Sequence, residues 1–311
     1  MPLYNPVSVS GYHIREAGST AAQELAFTLN NGFAYIEECL KRGLKIDDFA
    51  HRLSFFFNAH MDFFEEIAKY RAARRIWANR LKDKYGAKNE SSLKLKFHTQ
   101  TAGCSLTAQQ PENNIVRTAF EAMSAVLGGT NSLHTNSLDE TLALPSEKAA
   151  KIALRTQQIL AFETGVPNVA DPLGGSWYIE ELTDKLEKQA LKYFDEIHEM
   201  GGTVQAIEDG YFQKKIAESA SIYQESVDSK ERIIVGVNDF VEEDEELDIE
   251  ILKISRDAQD TQQDKIKTLR KSRDEKILQE KMKKLSDACK KDLNLVPFLI
   301  EVAEQGGTVG E

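Results

Sequence analysis

Short apolar strands alternate with amphipathic helices four times in the first 165 residues, and this alternation constrains the fold more than any other feature. Successive strands lie about 40 residues apart, enough for one strand, one helix and their connections. A strand that is followed by a crossover helix pairs in parallel with the next strand, so we expect a parallel βα architecture. The predicted strands are Ser8 to Gly11, Leu53 to Asn58, Leu93 to Gln100 and Ser132 to Asn136.

Four such units are half of a closed barrel. A (β/α)8 barrel of the TIM type has eight units in typically ~250 residues, so we expect residues 1–170 to form half of one. Residues 171–240 are predicted to be helical, with Thr203 to Glu225 as a single helix and one short strand within Glu231 to Phe240 that completes the domain. Residues 241–311 are predicted to be a charged helical linker or extension. The expected fold class is therefore α/β, a half-barrel followed by a mainly helical extension.

The composition excludes several functional classes. The chain of 311 residues has a net charge of −11 and no basic stripe, which argues against a nucleic-acid or anionic-membrane surface. Cys39, Cys104 and Cys289 lack any CxxC spacing, so neither a disulfide framework nor a zinc site is expected. No window approaches the ~20 apolar residues of a membrane-spanning helix, and the N-terminus lacks the pattern of a signal peptide. We expect a protein of the reducing cytoplasm.

Polar side chains lie where the predicted strands meet their loops. In barrels of this type the carboxyl ends of the strands line the active face, so functional residues are expected there. The first group is Tyr12 and His13, directly after Gly11. The further groups are Arg52 to Ser54, His98 to Gln100 and His134 to Glu140.

Each of these residues also has a plain structural interpretation. A lone histidine such as His13 is more often structural or solvated than catalytic. Gln100 could display its amide to solvent from an alternating strand, and Glu140 could cap the next helix. Arg52 could form a surface ion pair worth under ~1 kcal/mol. The run Phe55 to Phe57 is expected to be core, as is usual for a buried parallel strand.

Six long stretches, in order, resemble one enzyme family over most of residues 5–240. They are SGYHIREAGSTAAQELAF, DDFAHRLSFFF, FHTQTAGCSLTAQQP, LHTNSLDETLALP, DPLGGSWYIEELTDKLE and IIVGVNDF. The chain thereby resembles the large catalytic chain of coenzyme B12-dependent acyl-CoA mutases, the methylmalonyl-CoA mutase family. The resemblance aligns it with the second half of the family's barrel. It implies that the first strands, which grip the acid end of the substrate, would precede Met1, and that this chain alone would be inactive.

The resemblance implies a substrate site. In the family the acyl-CoA threads along the barrel axis. His13 resembles the residue that hydrogen-bonds the migrating thioester carbonyl, and Tyr12 resembles the aromatic beside the reacting carbons. Arg52 and Ser54 resemble the pair that meets the CoA portion. Gln100 resembles the amide at the substrate end of the pocket.

The resemblance also implies a cofactor, adenosylcobalamin, across the carboxyl face of the barrel. Glu16 and Glu140 resemble carboxylates that face the corrin amides and the adenosyl ribose, with Asn136 nearby. Cys104 occupies a position that is often aromatic in the family. The family's DxHxxG loop, whose histidine ligates cobalt, is missing, and no metal ligand is expected in this chain. The DxHxxG pattern is found around none of the histidines His51, His60, His98, His134 and His198.

The implied reaction is the radical interconversion of (R)-methylmalonyl-CoA and succinyl-CoA. Isobutyryl-CoA, ethylmalonyl-CoA or 2-hydroxyisobutyryl-CoA are alternative substrates, and an inactive half-barrel that acts only as an interaction piece is an alternative role. The implied partners are the acyl-CoA, a separate cobalamin-binding subunit or domain, the missing N-terminal half of the barrel and a GTPase chaperone. An unrelated barrel hydrolase is not expected, because no nucleophile or metal constellation is present.

Overall fold

The computed structural model describes residues 4–242, 249, 251–253, 255–291 and 293–311. The chain divides into two compact units, Met1–Leu252 and Lys253–Glu311. All the predicted site residues belong to the first unit, which also contains the sheet.

The strands of the first unit are β1 (Val7–Ser10), β2 (Leu53–Ala59), β3 (Phe97–Thr101) and β4 (Ser132–His134). They form one parallel sheet in the order β1-β2-β3-β4. The register pairs Val9 with Phe55, and Thr99 with both Phe57 and Leu133. Parallel strands that follow one another in chain order, each joined to the next through helices, are the arrangement of the C-terminal half of a TIM-type barrel. The predicted fold class is confirmed.

Helices join the strands and pack on one face of the sheet, and the long helix α8 packs on α2 and α4 to form an outer layer. The α-helices of the first unit are α1 (Tyr12–Glu16), α2 (Ala21–Lys41), α3 (Ile46–Phe49), α4 (Phe63–Asp83), α5 (Glu90–Leu93), α6 (Asn113–Leu127), α7 (Glu147–Phe162), α8 (Trp177–Glu199), α9 (Thr203–Glu208) and α10 (Tyr211–Asp228). Two short 3-10 helices are Ala50–Arg52 and Val166–Asn168.

Side-chain caps start several of these helices. Thr20 and Gln23 form a reciprocal capping box at α2, in which the Gln23 N–H donates to Thr20 Oγ1 and the Thr20 N–H donates to Gln23 Oε1. Asp62 at α4 and Ser146 at α7 are simple N-caps, in which the side chain of the cap residue accepts a hydrogen bond from a backbone N–H of the helix. These caps fix where each helix leaves the loop at the end of its strand.

The core lies between the sheet and the helices. Phe55 and Phe57 of β2 are buried there, and Phe55 packs edge-on against the indole of Trp77. Phe56 points to the opposite face, where its ring stacks on Tyr12. The prediction that all three phenylalanines are core is therefore wrong for Phe56, because successive side chains of a strand point to opposite faces.

One predicted strand begins later in the structure. Leu93 ends the short helix α5, so β3 begins only at Phe97 although the alternation of apolar residues starts earlier. Phe64 of α4 is 44% exposed and packs edge-on against Tyr178.

Residues 203–240 differ most from the prediction. The expected single helix is two helices, because Gly210, which adopts φ +71°, separates α9 from α10. Glu231 to Phe240 contains no strand but a turn with one bridge between Val235 and Asp239. The side-chain oxygen of Asn238 accepts a hydrogen bond from the Ile234 N–H, which closes the turn locally and replaces sheet pairing.

The second unit contains three helices among its described residues: α11 (Arg256–Ser272), α12 (Glu275–Cys289) and α13 (Val296–Glu304). Arg273, between α11 and α12, donates to the Gly306 carbonyl and pairs with the Glu311 carboxylate. Within the described part of the predicted charged helical extension, the helices are interrupted at Arg273 and Asp274. Within the described ranges of the whole chain, no helix is long and apolar enough to cross a membrane.

Candidate functional site

Tyr12 lies at the carboxyl edge of the sheet, where it follows β1 and reaches across to β2 and β3. Its ring stacks on Phe56 with centroids 5.0 Å apart, and its hydroxyl donates to the Thr101 carbonyl at 3.4 Å. Burial, and then the negative charge of Glu16, raise the pKa of this phenol well above its usual value. The hydroxyl therefore stays protonated and presents a donor at the end of β3.

Gly103, in the loop after β3, lies at the bottom of a small polar cradle. A methyl group on its Cα would lie 3.1 Å from Glu16 Oε2, 3.2 Å from Glu140 Oε1 and 3.4 Å from the Tyr12 hydroxyl. Glycine leaves this space open, so three polar groups from two different connections, α1 after β1 and the loop after β4, converge on bare backbone. The structure thus brings together Tyr12, Glu16 and Glu140, all predicted site residues.

Glu16 holds the loop that carries Gly103. Its Oε1 accepts hydrogen bonds from Asn58 Nδ2 at 2.7 Å and from the Gly103 N–H at 3.0 Å, and its Oε2 accepts from the Cys104 N–H at 2.9 Å. Hydrogen bonds to a carboxylate are stronger than neutral ones. Glu16 therefore positions the loop, which is a role that the sequence did not suggest.

Glu140 differs from Glu16 in having a free carboxylate. It makes no side-chain hydrogen bond or ion pair with any residue that the structure describes. Burial, followed by the charges of Glu16 and Asp139, raises its pKa. Its oxygens are the available acceptors of the cradle.

Gln100 and Asn136 form a second part of the site. Gln100 Nε2 donates to Asn136 Oδ1 at 2.8 Å, while the backbone N–H and the Nδ2 of buried Asn136 donate to the hydroxyl and the carbonyl of Thr101, both at 2.9 Å. Asn136 is thereby fixed, and the amide oxygen of Gln100 stays free to accept. The contact links the residue assigned to the substrate with one assigned to the cofactor.

A buried ion cluster lies beneath the cradle. Lys69 Nζ contacts Glu66 and donates to Glu24 Oε2 at 2.5 Å and to the Asn58 carbonyl at 2.8 Å, and all three charged side chains are fully buried. Burial raises the pKa of Glu24, whereas the charges of Lys69 and Arg15 outweigh burial at Glu66 and lower its pKa. Glu24 also accepts from the Asn58 N–H, so the cluster fixes the residue that holds Glu16.

His13 lies apart from the cradle. It is exposed, its Nδ1 is 3.3 Å from Ser10 Oγ, and it lines a cleft of about 780 Å³ beside β1. Residues from β1, α2 and the start of α9 form the other walls of this cleft. Adjacent residues of a helix point about 100° apart, which separates His13 from Tyr12.

Arg52 and Ser54 lie at the opposite end of the sheet. Both are at the amino end of β2, where Ser54 Oγ donates to the Val7 carbonyl at 3.0 Å. The expectation that they share the active edge with Tyr12 is wrong, because they precede the strand that the other groups follow. At ~3.3 Å per residue, the seven residues of β2 separate the two ends by about 20 Å. The Nε of Arg52 is buried and has no hydrogen-bond partner among the residues that the structure describes.

The sheet face away from the helices is mainly polar. The side chains that alternate with the buried core positions of β1, β2 and β3 are Ser8, Ser10, Ser54, Phe56, His98 and Gln100. His98 Nδ1 lies 2.7 Å from Ser132 Oγ on β4. Bulky branched residues fill the interior of an ordinary TIM barrel, whereas small hydroxyl groups leave room and offer hydrogen bonds. This face can line a channel.

Sequence reasoning missed Gly103, Asn58 and Lys69. The signal for Gly103 was present, since it lies inside the conspicuous loop AGCSLTAQQ. Lys69 lies among apolar positions of α4, and a lysine with the spacing of a core residue indicates a buried partner. Nothing in the sequence pairs it with Glu24, which is 45 residues away.

No cluster of three metal-binding side chains occurs in the part of the chain that the structure describes. The cradle combines the carboxylates of Glu16 and Glu140 with the neutral phenol of Tyr12, and these oxygens can accept hydrogen bonds from amide and hydroxyl donors.

Comparison with known proteins identifies relatives over the whole length. The family profile described as methylmalonyl-CoA mutase matches residues 1–311. Methylmalonyl-CoA mutase of Rhizobium meliloti (strain 1021) is 48% identical over 313 aligned residues, covering 100% of this chain and 44% of that protein. The mitochondrial methylmalonyl-CoA mutase of Homo sapiens is 46% identical, and the alignment covers 100% of this chain and 42% of that protein. The 2-hydroxyisobutanoyl-CoA mutase large subunit of Aquincola tertiaricarbonis is 47% identical, and the alignment covers 99% of this chain and 55% of that subunit. The chain spans about half the length of these relatives.

Proposed function

Since this chain belongs to the methylmalonyl-CoA mutase family, we propose that it forms part of an adenosylcobalamin-dependent acyl-CoA mutase. The reaction proposed first is the interconversion of (R)-methylmalonyl-CoA and succinyl-CoA. The observation that carries this proposal is the polar sheet face, since a barrel whose interior is lined by serines and histidines can admit a long polar ligand along its axis.

The two ends of this face suit the two ends of an acyl-CoA. Arg52 and Ser54 at the amino end would meet the CoA portion, and the unpartnered Nε of Arg52 is a donor for phosphate or amide oxygens. Tyr12 and Gln100 lie about 20 Å away along the strands, where the acyl group would be held. The separation of Arg52 from Tyr12, which contradicts a single compact site, fits a ligand that spans the sheet.

The residues at the acyl end bind, orient and exclude water. Tyr12 packs on Phe56 and would cover the reacting carbons with its ring, while its protonated hydroxyl stays bonded to backbone. The free amide oxygen of Gln100 would accept from the substrate. His13 would donate to the thioester carbonyl, where an imidazole N–H can stabilise developing charge.

The cradle around Gly103 fits the edge of a corrin ring with its amide groups. The bare Cα permits close approach, and the free carboxylate of Glu140 offers acceptors for amide N–H or ribose hydroxyl groups. Asn136 would support the adenosyl side through its contact with Gln100. Glu16 would act chiefly by holding the Gly103 loop. The bound cofactor supplies the hydrogen-abstracting radical, and the protein keeps that chemistry dry and oriented.

The partners follow from what these residues do not provide. A separate cobalamin-binding subunit or domain would supply the cobalt-ligating histidine, and further βα units would pair with the edges of the sheet to complete the barrel. A GTPase chaperone is a further proposed partner. The cytoplasm is the proposed location, because all three cysteines are free thiols. The relatives cited are all named mutases, which does not support an inactive interaction piece.

A second thioester should be tested as a substrate alongside methylmalonyl-CoA. The Aquincola relative named for 2-hydroxyisobutanoyl-CoA is as similar to this chain as the methylmalonyl-CoA mutases are, at 47% against 46–48% identity. The complete enzyme, reconstituted with adenosylcobalamin and its cobalamin-binding part, should be offered both thioesters. Succinyl-CoA formed from methylmalonyl-CoA is the expected product, and absence of turnover with either thioester would overturn the proposed function.

Arg52→Gln tests the orientation of the ligand. Loss of one charged hydrogen bond to CoA should raise KM roughly tenfold and leave kcat within a factor of two or so. Arg42→Gln is the matched control, because Arg42 lies exposed beside Glu38, away from the sheet. A fall in kcat at unchanged KM would contradict the assignment of Arg52 to the CoA end.

A further inference from the structure

A separate cavity lies behind the loop that forms the cradle. Gly103 faces Tyr12 and Glu140, whereas the next residue, Cys104, lines a cavity of about 360 Å³ on the other side of the loop. The remaining walls come from the start of α6, the turn after β2, Tyr223 of α10 and the turn at residues 232–235. This volume is within the range of small-molecule sites.

The charges around this cavity are uncompensated. Arg232 lies over the ring of Tyr223 at 5.0 Å, and its guanidinium makes no hydrogen bond or ion pair with the described residues. Arg117 donates only to neutral oxygens, those of Thr107, Asn114 and the Val235 carbonyl. No aspartate or glutamate is among the lining residues. The cavity therefore has a positive potential with no internal counter-ion.

Nearby titratable groups do not cancel this potential. Burial raises the pKa of Glu121, one turn beyond Arg117 on α6, well above its usual value, which disfavours the charged form of its carboxyl. His60 in the cavity wall accepts a hydrogen bond from the Met61 N–H at Nδ1, which places the proton of the neutral ring on Nε2. Burial, and then the charge of Arg15, lower the pKa of His60 to about 3, so the ring is an uncharged donor.

The rest of the wall is apolar and partly exposed. Val116, Phe120, Ile233 and Val235 are between 44% and 54% exposed although they line the same cavity. Apolar side chains around a pair of cations complement an anion with an apolar body. An inorganic phosphate would leave these walls uncovered, whereas an organic carboxylate would cover them and pair with a guanidinium.

We propose that this cavity is a second binding site, which takes a small organic carboxylate with its carboxylate on Arg232 and its apolar part on Val116 and Phe120. The site does not depend on the proposed mutase activity, because none of its contacts uses the cradle or the polar sheet face. Its occupant would touch Cys104, whose N–H also donates to Glu16, so the two sites share one loop.

Binding of hexanoate to the full-length protein without cofactor, measured by calorimetry, tests this proposal. Hexanamide, which has the same shape without the charge, is the matched ligand. Hexanoate should bind at least tenfold more tightly than hexanamide, and Arg232→Gln should remove that difference by weakening hexanoate roughly tenfold. Arg256→Gln, an exposed arginine of α11, is the matched protein control and should change nothing.

A second variant tests the position of the ligand. Ile233→Trp places a large side chain at the mouth of the cavity, at a position that is 52% exposed and so tolerant of substitution. It should abolish hexanoate binding while the unfolding midpoint stays unchanged. Equal affinity for hexanamide, unchanged affinity in Arg232→Gln, or no binding at millimolar hexanoate would each overturn the proposal.

Discussion

Lys69→Met should destabilise the first unit by about 3–5 kcal/mol, the usual cost of breaking a buried ion pair by removing one partner. Methionine has a similar length, so the packing of α4 is largely kept. What is lost is the cation that serves Glu24, Glu66 and the Asn58 carbonyl, none of which is accessible to water. Two carboxylates would then face each other in a low-dielectric interior.

Urea unfolding of the full-length protein, followed by fluorescence, measures this cost. Buried Trp77 belongs to the same helix as Lys69 and reports on the core. In a parallel thermal unfolding experiment, at roughly 2–4 °C per kcal/mol for a unit of this size, the midpoint temperature should fall by about 6–20 °C. Lys82→Met is the control, because Lys82 is an exposed lysine of the same helix. A loss below about 1 kcal/mol would refute the claim that the cluster is dry and fully paired.

The pH dependence of the unfolding free energy shows whether the two carboxylates cause the destabilisation in Lys69→Met. Without Lys69, the folded-state pKa values of Glu24 and Glu66 should rise above their unfolded values, so the folded state would bind more protons than the unfolded state. Stability of the variant then increases as pH falls. The difference in unfolding free energy between the variant and the wild type should become smaller as the pH falls from about 8 to about 5. A difference that widens on acidification would show that repulsion between the carboxylates is not the cause.

Three further predictions concern the site. Gly103→Ala should weaken adenosylcobalamin binding at least tenfold in a spectroscopic titration, because its methyl group would lie 3.1 Å from Glu16, whereas Gly310→Ala, with open space around it, should not. Although Cys104 is exposed, as Cys289 is, it should react with iodoacetamide at neutral pH far more slowly than Cys289, since partial desolvation of its sulfur in the loop and then Glu16 raise the pKa of its thiol to about 12; equal rates would contradict this. His13→Ala should lower kcat of the complete enzyme roughly 10²-fold, and unchanged turnover would remove its proposed role.

Local patterns were sufficient to predict the elements of the barrel half. Alternating apolar residues located the strands, and the Thr20–Gln23 pair located the start of α2 because a capping box is complete within four residues. The turn at residues 231–240 was mispredicted as a strand. Its apolar residues suit a strand, but pairing requires a neighbouring strand, and the side chain of Asn238 satisfies the backbone instead.

The location of a site residue could be predicted where it depends only on which end of a strand the residue adjoins. Tyr12 was placed correctly because it follows β1 directly. Arg52 was assigned to the wrong end although the predicted start of the strand, Leu53, was correct, because a residue that precedes a strand lies at its amino end and not at the carboxyl end. The contact between Lys69 and Glu24 and the hydrogen bonds of Glu16 join residues 42 to 88 positions apart, and no periodicity records such pairings.

The way in which Glu16 holds the loop after β3 affects how that loop can evolve. The anchoring donors are the backbone N–H groups of Gly103 and Cys104, which every amino acid except proline possesses. Replacement of the residue at position 104 therefore leaves the anchor intact and changes only what projects into the space behind the loop. A lineage could exchange a large side chain for a thiol there without re-forming the cradle, so the two sides of this loop can diverge at independent rates.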